Sequence, residues 1–347
     1  MTINVFDFFS GCGGTSCGFE ASGMKIRLGM DLDRDASRTY RSNFPDAHFI
    51  EADIQTLEVD CIADVISAAD GPILFSGCAP CQPFSKQNRN QSEKDPRRNL
   101  LSEFGRFVEH WLPDYVFVEN VPGMQKDCLK SETFVNFTSL LSRLGYSFDA
   151  QLVQALWFGV PQTRTRLVLV ASKHGTIQLP PATNGPGLNP YSTVKDWMSD
   201  LPELVAGASH PDDPDHSTMN LSELNLRRIQ STREGGGRES WPEELLLSCH
   251  RNYTGHTDVY GRLSWSKPAS GLTTKCISYS NGRFGHPDQP RGISVREAAS
   301  LQTFPRSYRF FGSLQSRARQ VGNAVPPLMA QRVAAAFSGR QTQQAGP

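Results

Sequence analysis

Apolar residues alternate or run continuously in seven short stretches of the first 172 residues: INVFDFF, KIRLGMD, HFIEAD, PILFSG, DYVFVEN, FDAQLVQ and RLVLVAS. Runs of this length, rich in β-branched and aromatic residues, predict strands. Between several of them the apolar spacing changes to three and four, over Asp35–Asn43, Asn99–Trp111 and Glu132–Leu144, which predicts helices. Strands alternating with helices predict an α/β fold with a doubly wound, mostly parallel sheet. From about Lys173 the pattern dissolves. LPPATNGPGLNP, SHPDDPDHS and REGGGRES are turn-rich stretches, so residues 173–290 predict a separate, loop-rich module. VREAASLQTF and PPLMAQRVAAAFSG then predict two helices, the second opened by proline.

A chain of 347 residues can bury a large core and carry a smaller second domain. No apolar run reaches the roughly 18 residues of a membrane span, and MTINVFDFFSGCGG enters a strand-like run without a basic leader, so neither membrane association nor export is expected. Eight cysteines are too sparse for a disulfide scaffold, which makes free thiols in a reducing, cytoplasmic setting the expectation. The net charge of zero hides an asymmetry. Residues 1–224 hold 18 Lys and Arg against 28 Asp and Glu, and residues 225–347 hold 17 against 7. A basic C-terminal third suits a polyanion.

The first strand runs into DFFSGCGGTSCGF. Gly11, Gly13 and Gly14 would let the backbone turn tightly beside a ligand at a strand's carboxyl end. Asp31 follows Gly11 by 20 residues at the end of the second strand, where a carboxylate can accept from ribose hydroxyls. Asp53 ends the third. The spacing is not GxGxxG, and no GK[ST] follows, so an adenosyl ligand without phosphates fits best. S-adenosylmethionine meets that description.

GCAPCQPFS, residues 77–85, admits three readings. Cys78 and Cys81 form a CxxC that Cys12 and Cys17 could complete as a metal clasp, although two close pairs are lacking. A redox pair would open a helix in a smaller fold. A nucleophile beyond a strand's carboxyl end has more support, because Glu119 ends the next strand in DYVFVENVPG and QTRTRL supplies Arg164 and Arg166.

FSGCGG, GCAPCQPFS, VENVPG, QTRTR, REAASLQTFP and QVGNAVPP, in this order, resemble the bacterial-type cytosine-C5 DNA methyltransferases over residues 3–172 and 291–337. The resemblance implies that Cys81 attacks C6 of cytosine, that Glu119 holds N3 and N4, and that Arg166 binds the O2 side with Arg164 in support. It implies a cofactor site from Phe9, Gly11, Cys12, Gly13, Asp31, Leu32, Asp53, Ile54, Pro80 and Leu100, closed by Asn323 and Val325. Many members carry glutamate where Asp31 stands, a departure that could shift the ribose contact. No metal is implied. Residues 1–172 would form the catalytic and cofactor domain, completed by 318–340, with 173–290 the target-recognition domain and 291–317 a connecting scaffold. The implied partner is double-stranded DNA, read by a monomer, with a cognate restriction endonuclease acting on the same site. Cytosine must leave the base stack to react. Gln82 and Ser85 would line the extruded base, and Arg251, Arg262 and Arg283 are candidate DNA contacts, each singly more typical of a solvated surface. Cys78 reads as a small wall residue, and His250, His256 and His286 as turn or surface histidines. The rival readings are a transfer-RNA cytosine methyltransferase, an inactive DNA-binding relative and a nicotinamide dehydrogenase.

Overall fold

All seven apolar runs become strands within a residue or two of the positions expected from the pattern. They are β1 (Asn4–Phe8), β2 (Lys25–Asp31), β3 (His48–Glu51), β4 (Ile73–Gly77), β5 (Tyr115–Asn120), β6 (Ser147–Gln154) and β8 (Thr165–Ser172), with the two-residue β7 (Gln162–Thr163) preceding the last. The sheet order is β3-β2-β1-β4-β5-β8-β6. Strands β1 to β5 are parallel, whereas β8 runs antiparallel to both β5 and β6. The doubly wound, mostly parallel α/β class expected from the sequence is therefore borne out.

The computed structural model describes residues 1–79, 100–121, 132–248, 255 and 258–338. Two compact units emerge, one of Met1–Gln154, Thr165–Ala182 and Val325–Pro347, the other of Ala155–Arg164 and Thr183–Ala324. The helices α1 (Gly14–Ala21), α2 (Arg34–Asn43), α3 (Ala63–Ser67), α4 (Leu100–Trp111) and α5 (Glu132–Arg143) belong to the first unit. The second holds α6 (Val194–Met198), α7 (Glu223–Gln230), α8 (Val295–Leu301) and α9 (Leu314–Asn323), and α10 (Pro327–Val333) returns to the first. No helix among the described residues is long and apolar enough to cross a membrane.

Alternation along the strands assigns the two faces of the sheet in the first unit. Phe6 and Phe8 of β1, Leu28 and Met30 of β2, Phe75 of β4 and Val116 and Val118 of β5 share one core with α4. That helix contributes Leu100, Leu101, Phe104, Phe107 and Val108, a stripe at helical spacing. The Phe8 ring lies 5.0 to 5.2 Å from the rings of Phe75, Phe104 and Phe107, within the range of favourable aromatic pairs.

The intervening residues turn Asp7, Ser76, Phe117 and Glu119 to the opposite face, where Phe19 of α1 meets Phe117 edge-on at 5.3 Å. Helix α10, opened by Pro327 in its first turn, packs there against α1. The approach is so close that a Cβ on Gly18 would stand 2.2 Å from the Pro327 carbonyl oxygen and 2.7 Å from the Ala330 Cβ. Helix α2 is held by its N-cap, the Asp33 carboxylate accepting from the Asp35 and Ala36 amides at 3.0 and 3.1 Å.

The second unit has little regular structure, its one strand pair being β7 with β9 (Ala269–Ser270). Buried ion pairs substitute for ladders. Arg291, with no exposed surface, makes two 2.7 Å bonds to Glu297 of α8. Arg296 holds Asp213 at 2.6 and 3.0 Å, and Arg317 holds Asp215 at 2.9 Å. His286, buried beside them, accepts at Nδ1 from the Asp288 and Gln289 amides, and burial pushes its pKa down to about 4.

Gly18→Val should lower stability by about 1–3 kcal/mol, because α1 and α10 cannot close around the added carbons. A urea midpoint unchanged from the parent would contradict this packing.

Candidate active site

Parallel pairing brings the carboxyl ends of β1 to β5 to one edge of the sheet, where ligands bind in open α/β folds. Beyond β1 the chain enters the glycine turn, with Phe9 at φ 56°, Gly11 at φ 53° and Gly13 at φ 87°. Positive φ is unstrained for glycine but costs roughly 1–2 kcal/mol at Phe9. Asp31, at the end of β2, accepts from the Gly11 amide through Oδ2 and from the Asp33 amide through Oδ1, both at 2.8 Å. Each oxygen keeps a lone pair for a second donor. Burial raises the Asp31 pKa and these amides oppose the rise. No atom lies within 4 Å of where a Cβ on Gly11 would stand, and Leu32 beside Asp31 exposes 66% of its surface. Asp53 caps the turn after β3 by accepting from the Gln55 amide at 3.0 Å, with Ile54 buried behind it. Leu100 is buried at the start of α4.

Strand β5 delivers Glu119 to the same edge, and the reversal of β8 brings Arg166 to it. Arg166 Nε stands 2.9 Å from Glu119 Oε1. The approach is off the line a hydrogen bond requires, so this buried oxygen has no hydrogen-bond partner among the described residues. Cys78 follows β4 with its thiol 3.5 Å from the Thr15 hydroxyl. Burial, and then the charges of Glu119 and Asp7, hold it well above the usual thiol range. Cys12 is likewise pushed far up by burial, and Cys17 to about 12. These three are protonated thiols rather than nucleophiles or ligands. Among the described residues no group of three His, Cys, Asp or Glu side chains could hold a metal ion. Beside them the Asn120 amide reaches the Ala79 carbonyl at 3.5 Å, tying the chain after β4 to β5.

Arg164, two residues before Arg166 in the sequence, lies in the other unit and is buried there. It donates to the carbonyls of Leu272 at 2.9 Å and of Gly322 and Ala324 at 3.3 Å. Gln302 donates to the same Ala324 carbonyl and accepts from Gln162, each at 2.5 Å. Arg164, Gln162 and Gln302 thus hold the GNA segment from three sides. The motifs QTRTR and REAASLQTFP flag these two glutamines, but nothing in the sequence assigns them a partner. Asn323, within the held segment, is exposed. Val325 is buried in the first unit.

Arg262 does not face outward as a DNA contact would. It is buried, donating to the carbonyls of Ile229, His286 and Pro287 at 2.9 to 3.2 Å. Arg283 is partly exposed, bound to Asp258 at 3.0 Å and to the Gly235 and Gly236 carbonyls at 2.8 Å. Pro80, Cys81, Gln82, Ser85, His250, Arg251 and His256 lie outside the described residues.

Residues 3–339 match the sequence model of the C-5 cytosine-specific DNA methylases. The chain is similar to the Type II methylase M.HgiDII of Herpetosiphon aurantiacus, 40% identical over 96% of this chain and 94% of the relative. It is 33% identical to the Type II methyltransferase M1.HphI of Haemophilus parahaemolyticus over 99% and 89% of the two chains. Among solved structures, a putative DNA modification methyltransferase encoded within an Escherichia coli prophage shares the fold with a TM-score of 0.76 at 24% identity, covering 97% of this chain and 98% of that one. A DNMT2 variant of Spodoptera frugiperda shares it with a TM-score of 0.66 at 18% identity, covering 97% and 99%.

Arg164→Leu should cost about 2–4 kcal/mol by stranding buried carbonyls. Denaturant melts of this variant and of Arg164→Lys test the staple, with the lysine restoring part of the loss. Equal stability of all three chains would contradict it.

Proposed function

The chain belongs to the C-5 cytosine-specific DNA methylases, and on that premise we propose how its residues divide the reaction. The activity is methyl transfer to C5 of cytosine in DNA. The observation that carries the division of labour is the Glu119 carboxyl group, buried beside Arg166 with Oε1 lacking a hydrogen bond. A buried unsatisfied acceptor costs about 1–3 kcal/mol, and a ligand that donates there removes the cost. Cytosine presents an exocyclic amine next to a ring nitrogen. One carboxyl group can accept from N4 and, when protonated, donate to N3. Arg166 then faces the O2 side.

Cys81, two residues after Ala79 in the sequence, is the nucleophile in this reading. C5 of cytosine is too electron-poor to accept a methyl group unaided. Addition of the Cys81 thiolate to C6 forms the Sγ–C6 bond and makes the ring an enamine, with the electron demand met at N3 by Glu119. After methylation a base takes the C5 proton. The electrons of that C–H bond restore the C5–C6 double bond as the bond to Cys81 breaks.

S-adenosylmethionine is the cofactor we assign, supplying the methyl group as the equivalent of a methyl cation. Asp31 is its ribose acceptor, and the open space above Gly11 suits its amino-acid part. Phe9, Cys12, Gly13, Leu32, Asp53, Ile54, Pro80 and Leu100 form the remaining wall, with Asn323 and Val325 from the C-terminal motif. Arg164 acts by holding that motif.

The substrate is a specific sequence in double-stranded DNA, read by the module at 173–290 after the cytosine is extruded, at a cost of a few kcal/mol. Gln82, Ser85, Arg251 and Arg283 remain candidate contacts, and Arg262 is left out because its guanidinium is spent internally. The Type II names of the relatives support a restriction-modification setting. There a monomer in the bacterial cytoplasm would protect sites that a cognate endonuclease cuts.

Duplex DNA carrying 5-fluorocytosine at the target should trap the protein covalently in the presence of S-adenosylmethionine, since fluorine blocks the last proton loss. Gel shift under denaturing conditions reads the adduct, and Cys81→Ala should abolish it. Labelled methyl groups should enter duplex DNA and not transfer RNA. A Cys81→Ala chain with full methyl transfer would overturn the mechanism.

A further inference from the structure

Asp7 has no part in the reaction just described, yet it is a carboxylate buried completely in the middle of the sheet. Strand β1 presents it on the α1 face, four residues before Gly11. Its Oδ2 accepts from the Ser16 hydroxyl at 2.6 Å and its Oδ1 from the Ser76 hydroxyl at 2.7 Å. Ser16 also meets the Tyr40 hydroxyl at 2.8 Å. With the Ser16 proton committed to Asp7, Tyr40 is the donor in that contact. Asp7 therefore links the strand that enters the glycine turn to the helix that leaves it, through neutral hydroxyls alone.

The charged and titratable groups around it are mostly acids and their like. Asp31 on β2 acts on Asp7 directly. Tyr40 on α2 feels both Asp7 and Glu20 of α1. Cys17 lies on α1 beside Glu20. Cys78, after β4, feels Asp7 and Glu119. None of the groups that act on Asp7 is a cation, and Arg166 is committed to Glu119. Burial, reinforced by Asp31, outweighs the two serine bonds and pushes the Asp7 pKa up to about 6. A buried acid in such surroundings lacks a counter-charge.

The assigned cofactor would supply one. S-adenosylmethionine carries a sulfonium, and its product S-adenosylhomocysteine carries a neutral thioether. Their amino, carboxyl and ribose groups are the same. We infer that Asp7 is a positioning residue that senses this charge. It gives up its proton when the sulfonium form binds in the adjoining turn, and it regains one when the thioether form replaces it.

This inference rests on the S-adenosylmethionine reading above. The sign follows from linkage. A cation bound nearby favours ionised Asp7 and lowers its pKa, so binding of the sulfonium form releases a proton and strengthens as pH rises toward the free-protein value. Above that value Asp7 is ionised with or without ligand, and the affinity levels off. Binding of the thioether form leaves Asp7 indifferent. Titration of Asp31, a ribose acceptor, affects both ligands alike and cancels in their ratio.

Calorimetric titration of the full chain with each ligand, between about pH 5 and pH 8, reads that ratio. The preference for S-adenosylmethionine over S-adenosylhomocysteine should grow about fivefold across this range, mostly below pH 6.5. Buffers of different ionisation enthalpy should show proton release with the sulfonium ligand only. Asp7→Asn should flatten the ratio and abolish the release. Tyr40→Phe keeps the carboxylate but weakens its hydroxyl chain, and should move the rise to higher pH even if Asp7→Asn fails to fold. A flat ratio in the parent chain, or an unchanged rise in Asp7→Asn, would overturn the inference while leaving the cofactor reading intact. Failure of both ligands to bind at every pH would remove the cofactor reading and this inference together.

Discussion

The pairing of Glu119 with Arg166 depends on one strand running against its neighbours. Five parallel strands send their carboxyl ends to a common edge, and a parallel β8 would place Arg166 at the opposite edge. Over the eight residues of β8 that displacement would be roughly 25 Å. Because β8 is reversed, it starts where β5 finishes, as the pairing of Asn120 with Leu167 shows. A buried acid and a guanidinium can then share one end of the sheet with the glycine turn.

Around that edge the chain satisfies some polar groups and leaves others available. Asp31 is fixed by two backbone amides yet keeps lone pairs for further donors. Glu119 Oε1 is paired by charge without a hydrogen bond. In the second unit the polar groups are committed to one another instead. The Arg291–Glu297 and Arg296–Asp213 pairs hold a loop-rich chain that has few ladders to order it. Breaking one partner of a buried pair leaves an uncompensated charge, which makes such groups structural constraints rather than free recognition elements.

Much of the fold was legible because strands buried on both faces read as short apolar runs whatever their neighbours do. The same property hid the reversal of β8, since RLVLVAS is equally apolar in either direction. Asp31 was legible from its spacing to Gly11, and the two prove to be hydrogen-bonded. Asp7 was not singled out, because a single acid inside INVFDFF changes the pattern little and its serine and tyrosine partners come from three other elements. Arg164 and Arg166 look alike in QTRTR, but one staples carbonyls in one unit while the other meets Glu119 in the other. Arg262 read as an outward-facing residue because a loop-rich stretch has no periodicity to mark its interior. Cys81 was legible from its motif and lies outside the described residues.

The site chemistry proposed for the chain stands or falls on which atom of DNA is methylated. Nucleoside digestion and mass spectrometry of DNA from cells expressing the chain, followed by sequencing of the modified positions, identify that atom directly. The expected product is 5-methylcytosine confined to one short sequence context. Methylation at the cytosine amine or on adenine, or DNA with no added methyl group, would contradict a ring-carbon transfer organised around Glu119 and Arg166.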